Sequence, residues 1–237
     1  MDQAAWLIAV RFALYLTLML VFGVPLFSLT RFRPAKRATT TDILEPRLVA
    51  GLSLCGAALS VVGMLLIAAG MSDVTLANLD SETVKALVEG TAIGKAAQVR
   101  VAALLTSGAF WFWHGSAPQI RWAIQAFLGS IALSSLAWTG HGAADEGTAG
   151  LVHLGADIIH LLAAGVWLGA LAGLLVLLFR ARSTGDGQPE RISIAHDALA
   201  GFATLGTTAV VLITFTGVVN SWALVGIANI TSLPTTV

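Results

Sequence analysis

Residues 152–179 read VHLGADIIHLLAAGVWLGALAGLLVLLF, an apolar run that carries His153, Asp157 and His160. It is long enough for a helix to cross the hydrocarbon of a bilayer, which takes about 20 residues. At about 100° per residue the three ionisable side chains fall on one stripe. Ionisable groups cost several kcal/mol in hydrocarbon, so three of them kept together on a spanning helix point to use. The run predicts both an integral membrane fold and a candidate metal site within it.

The rest of the chain has the same character. Of its 237 residues 57% are hydrophobic and 11% charged, and the mean hydropathy of +0.84 exceeds what a soluble domain of this size could bury in one core. Further apolar segments lie at 4–29, 48–71, 94–113, 122–140 and 201–226, which with 152–179 makes six expected spans. None alternates with the period of a barrel strand, and backbone polar groups must be satisfied inside lipid. The expected fold is therefore all-α: a polytopic helical bundle, residues 1–237 forming a single integral membrane domain. The first segment is longer than a signal-peptide core and is expected to stay in place as a helix.

Lys and Arg set the orientation. Arg31, Arg33, Lys36, Arg37 and Arg47 flank the first connection, Arg121 the third, and Arg180, Arg182 and Arg191 the fifth, whereas the second holds little beyond Lys85. By the positive-inside rule these odd connections are cytoplasmic and the N-terminus faces outward, the periplasmic side in a bacterial inner membrane. In the second connection Asp80 or Ser81 can cap a short outer helix over 81–89, with Val84, Leu87 and Val88 on one face and Gly90 as its stop. Residues 180–198, with Gly185, Gly187 and Pro189, read as a flexible loop.

Charge and cysteine usage exclude several classes. Thirteen basic residues balance thirteen acidic ones without clustering, which leaves no nucleic-acid footprint. Cys55 stands alone, so any metal relies on His, carboxylate or Met. The sequence has no nucleophile with an evident base and no phosphate-binding glycine loop, and no enzyme is expected.

The candidate ligands are His141, His153, Asp157 and His160. His153 and Asp157 are i,i+4 and Asp157 and His160 i,i+3, spacings from which two side chains can share an ion. His141, joined to the stripe by a short loop containing Asp145 and Glu146, is placed to return a further ligand from the preceding span. Imidazole and carboxylate suit Cu(II), Zn or Ni, whereas Cu(I) favours thioether or thiolate. Met64 and Met71 share a face of the second span, and core packing accounts for them. Arg11, Lys95 and Arg100 enter the outer half of the bundle, either snorkelling toward headgroups or, for Arg11 or Arg100, pairing with Asp157. Gly165, Gly169 and Gly173 recur every four residues opposite the ligand stripe and predict close approach of a neighbouring helix. Trp6, Trp138 and Trp222 suit interfacial anchoring, and His114, His196 and Asp197 solvated or capping roles.

Gly140-His141, together with the His153-x6-His160-x6-Trp167-x-Gly169 arrangement, resembles the copper resistance protein D family of bacterial inner-membrane proteins. Arg191-Ile-Ser-Ile-Ala195 and Thr216-Gly-Val-Val-Asn220 are similar to that family's next helix, and Thr91-x2-Gly94 with Arg100 to its earlier half. The resemblance implies a multi-pass inner (plasma) membrane protein that binds and transports or imports copper, or confers copper resistance. A periplasmic partner of the copper resistance protein C type goes with it, homo-oligomerisation is open, and His141, His153 and His160 would be the copper ligands. Asp157 is added on helix geometry. The family pattern continues through two more helices, whereas this sequence ends at Leu233-Pro-Thr-Thr-Val237, so a piece or a shortened relative is expected. Two other readings stand beside it. One is a haem-binding redox protein with His141 and His160 as axial ligands. The other is an accessory subunit whose His and Asp lock the bundle by hydrogen bonds.

Overall fold

The computed structural model describes residues 3–31, 46–110, 117–139, 147–181 and 188–225. Seven α-helices occupy them: α1 Gln3–Arg31, α2 Pro46–Met71, α3 Ser81–Gly90, α4 Ala92–Ala109, α5 Pro118–Ser134, α6 Gly147–Ala181 and α7 Gln188–Val225. Short 3-10 turns cover Leu76–Asn78 and Ser135–Thr139. There is no strand among the described residues. The fold is the expected all-α membrane bundle.

Five helices contain stretches long and apolar enough to cross a membrane: Gln3–Thr30, Arg47–Met71, Gln119–Thr139, Gly150–Phe179 and Ile192–Trp222. The expected span at 94–113 corresponds to α4, which carries Lys95 and Arg100 in its first half and does not reach that apolar standard. It packs along α2 and α5.

Helix α1 is the hub, packing on α2, α5, α6 and α7. Toward its start, Leu14, Leu18, Val21 and Phe22 meet Ala57 of α2, Leu104 of α4 and Leu133 of α5. Toward its end, Val24 and Phe27 join Val49, Trp122, Leu174, Leu177, Ile194 and Ala198 in a second cluster. That cluster explains why residues 188–198, expected as a loop, are the opening turns of α7. Ile194, Ala195 and Ala198 are buried against α6 and its neighbours, and burying such side chains stabilises helix that composition alone would not.

The glycine repeat of α6 brings a neighbouring helix close, as expected, and that helix is α1. A Cβ on Gly169 would fall on the backbone of Gly23, and one on Gly173 would meet the Phe27 ring. Bare backbone here lets two helices touch where lipid offers no hydrophobic force to press them together. Across the bundle, Ser53 of α2, Ser107 of α4 and Gln125 of α5 form a buried polar clamp. The two serine hydroxyls lie 3.0 Å apart, Ser107 Oγ donates to Gln125 Oε1, and Gln125 Nε2 returns a 3.0 Å bond to the Ser107 carbonyl. Every member has a partner, the condition under which a buried polar network holds helices rather than weakening them.

Helix α3 forms where the sequence places it. Asp80 Oδ1 accepts from the Thr83 backbone N–H at 2.7 Å, satisfying one of the donors that a helix start leaves open. Leu87 is buried with Met64, Ala68 and Ala97, and Val84 and Val88 pack beside it. Met64 is thus a core residue, whereas Met71, expected to pack as well, ends α2 exposed. The Thr83 backbone bond, then its hydroxyl, holds the Asp80 carboxyl below its ordinary value. A depressed carboxylate contributes stability that is present above its unfolded pKa, about 3.9, and lost as pH falls through the lower folded value. Hydrogen exchange over residues 81–90, corrected for the intrinsic rate, is therefore expected to be flat from neutral pH to about 5 and to rise below about 4. In Asp80→Ala it is expected to be raised throughout, and an unchanged profile would remove the capping role.

Candidate functional site

Helices α6 and α7 run antiparallel and form the most extensive pair in the bundle. Two polar bridges join them within otherwise apolar sequence. Asn220 Nδ2 donates to Asp157 Oδ1 at 2.7 Å, and His160 Nδ1 lies 2.9 Å from Thr216 Oγ1. The residues on α7 are four apart and those on α6 three apart, so each bridge sits one turn from the next.

The Thr216 hydroxyl already donates to the Leu212 carbonyl at 2.6 Å. With the proton on that short bond the oxygen is the acceptor, and a neutral His160 carries its proton on Nδ1. That tautomer leaves the Nε2 lone pair of His160 available to a cation, the arrangement in which a histidine ligand is oriented through its other nitrogen. Gly217, one residue along, keeps this edge of the ring open: a Cβ there would stand 3.7 Å from His160 Cε1.

Two turns closer to the start of α6 than His160, His153 is 3% exposed and its Nε2 lies 4.0 Å from Asp157 Oδ2. Ligand bonds of about 2.0–2.2 Å place the two donors of a tetrahedral ion about 3.4 Å apart, so the pair would close by about half an ångström to share one. With Oδ1 held by Asn220, it is Oδ2 that faces the imidazole. Asn220 Oδ1 is itself buried and has no hydrogen-bond partner among the described residues, so a third oxygen accompanies the pair.

Among the described residues no cluster of three His, Cys, Asp or Glu converges on one point. The structure brings His153 and Asp157 together and sets His160 one turn further along, engaged with α7. His141, with Asp145 and Glu146, and His114 lie outside the described residues. The expected pairing of Asp157 with Arg11 or Arg100 is corrected. Asp157 faces α7, whereas Arg100 sits on α4, which packs against α2 and α5. Thr216 and Asn220 were not singled out as site residues from the sequence. Their signal was present in two polar residues four apart on an apolar span, but nothing in the pattern fixed which helix they would face.

The family pattern described as "Copper resistance protein D-like, N-terminal domain" matches residues 1–151. A curated relative, "Copper resistance protein D" of Pseudomonas syringae pv. tomato, is 36% identical over 219 residues, which cover 92% of this chain and 70% of the relative. The chain belongs to the copper resistance protein D family. No solved structure matches it. This member of the copper resistance protein D family is a multi-pass membrane protein whose helix pair α6–α7 carries the ionisable stripe. The family pattern ends before His153, so it takes in none of the stripe's ionisable residues.

Proposed function

We propose that this protein binds copper ions as cargo at the periplasmic side of the bacterial inner membrane and passes them into or across the bilayer. His153 and Asp157 are the capture pair, with His141 as a further ligand and His160 as the next station inward. A helical rise of about 1.5 Å per residue sets Asp157 about 6 Å and His160 about 10 Å deeper than His153, a spacing suited to stepwise movement. Imidazole nitrogen with carboxylate oxygen favours Cu(II). Neither Met64, packed on α3, nor Met71, exposed at the end of α2, brings a thioether to α6 in support of Cu(I). The family supports copper handling as the activity rather than catalysis. A periplasmic donor of the copper resistance protein C type and pairing with a second copy fit this reading.

The observation that carries the proposal is the Thr216–His160 contact, which spends a buried hydroxyl on presenting one histidine nitrogen. Thr216→Val keeps the shape and removes the acceptor. Loss of an orienting partner typically weakens a metal site by 10–100-fold. Copper titration of detergent-purified protein should show a loss in that range with the folded fraction unchanged. The bundle-locking reading expects lower thermal stability and no change in copper affinity, and that result would replace the proposal.

A further inference from the structure

A second polar site lies apart from the α6–α7 stripe, between α1, α2, α4 and the Ser135–Thr139 turn. A cavity of about 80 Å³ is lined there by Arg11, Tyr15, Ser60, Met64, Arg100 and Thr139, among others. Arg100 is 3% exposed, and neither its Nε nor its Nη1 has a hydrogen-bond partner among the described residues. A guanidinium cannot shed its charge, and one sealed in a bundle without acceptors is strongly unfavourable. The described lining supplies two cations and no anionic acceptor. Among the described residues no carboxylate lines it, a second cation comes from Arg11, and the Tyr15 hydroxyl has no protein hydrogen-bond partner. The Ser60 and Thr139 hydroxyls donate to the Gly56 and Leu136 carbonyls, so their oxygens offer only neutral lone pairs, which do not balance two cations.

Depth matches as well. Arg11 and Arg100 each lie eight residues past the first residue of α1 and α4, about 12 Å along helices whose starts lie toward the same end of the bundle. Two positive charges therefore meet at one level. The volume accommodates a few water-sized groups, which admits a small anion and excludes a lipid headgroup or nucleotide.

We propose that this cavity binds a small anion of halide or formate size, held by the Arg100 guanidinium with Arg11 and the Tyr15 hydroxyl. The site is independent of the copper reading, and either can fail without the other.

The test is thermal unfolding of the detergent-purified full chain at fixed ionic strength, with sodium isethionate, whose anion is too large for the cavity, progressively replaced by bromide or by formate. A ligand that binds only the folded state raises Tm in a saturable way. The expected result is a saturable rise with one or both small anions. A rise with bromide alone identifies a halide site, and one with formate alone a carboxylate site. Arg100→Met should abolish the response. Tyr15→Phe and Arg11→Gln should each raise the half-saturating concentration several-fold, as expected for one lost hydrogen bond to a charged group. If Arg100→Met does not fold, these two variants decide: half-saturation unchanged in both overturns the site. So does a wild type that responds to neither anion, or an Arg100→Met protein that responds like wild type. No response to either anion would direct attention to an acidic side chain from a partner protein as the acceptor.

Discussion

Gly169→Val should leave little folded protein, with at least about 3 kcal/mol of stability lost. The added carbon would overlap the Gly23 backbone on α1, and backbone cannot rotate aside as a side chain can. Helix α6 would have to withdraw from the hub, giving up the contacts of Ala170, Leu174 and Leu177 with α1 and α7. Gly155→Ala on the same helix is the matched control. A Cβ there meets nothing within 4 Å, and alanine is favoured over glycine in a helix by roughly 0.5–1 kcal/mol. Gel filtration in detergent and thermal unfolding should separate the two sharply. A Gly169→Val protein that remains monodisperse with an unchanged Tm would refute the close α1–α6 contact.

Copper should disappear from a His153→Ala, His160→Ala double variant. Elemental analysis after loading and desalting should give near-stoichiometric metal in wild type and little in the variant. The substitutions remove an imidazole whose Nε2 stands 4.0 Å from Asp157 and another whose Nδ1 is 2.9 Å from Thr216. Among the described residues Asp157 would then keep only the Asn220 amide as partner, and one carboxylate with at most His141 beside it seldom holds a transition metal against water. His196→Ala provides the control, since His196 is exposed on the early turns of α7 and should leave the copper content unchanged. Equal copper in wild type and double variant, or negligible copper in both, would sink the site assignment and favour the bundle lock. The His153 ring is buried, so variant and wild type must be compared at matched folded fractions.

What the sequence could reveal follows from how local the governing physics is. Desolvation of backbone and side chains depends on composition over about 20 residues, so the long apolar helices were legible. The Asp80 cap was legible because its partner, Thr83, lies within the same turn. The glycine spacing of α6 was legible because only a close neighbour explains bare backbone every four residues, although the neighbour itself, α1, was not. The first turns of α7 were missed because their helicity comes from Ile194 and Ala198 reaching a cluster with Val49 and Trp122, all distant in sequence. Arg100 was offered to Asp157 on shared depth alone. Depth follows from counting residues, but facing direction depends on how each helix is rotated in the bundle, and that decided against the pair. His160 was found from its own stripe, whereas the Thr216 that orients it required knowing which side of α7 meets α6.

The hub position of α1 bears on how the molecule comes to exist. Spans leave the ribosome in chain order, and the helix that touches α2, α5, α6 and α7 emerges before all four. Helices α2 and α5 enter the bilayer to find their main docking partner already there, and α6 finds α1 in place before it pairs with α7. The order of synthesis is in this way also an order of assembly, with the α6–α7 pair and its ionisable stripe added to a scaffold of α1, α2 and α5 that already stands.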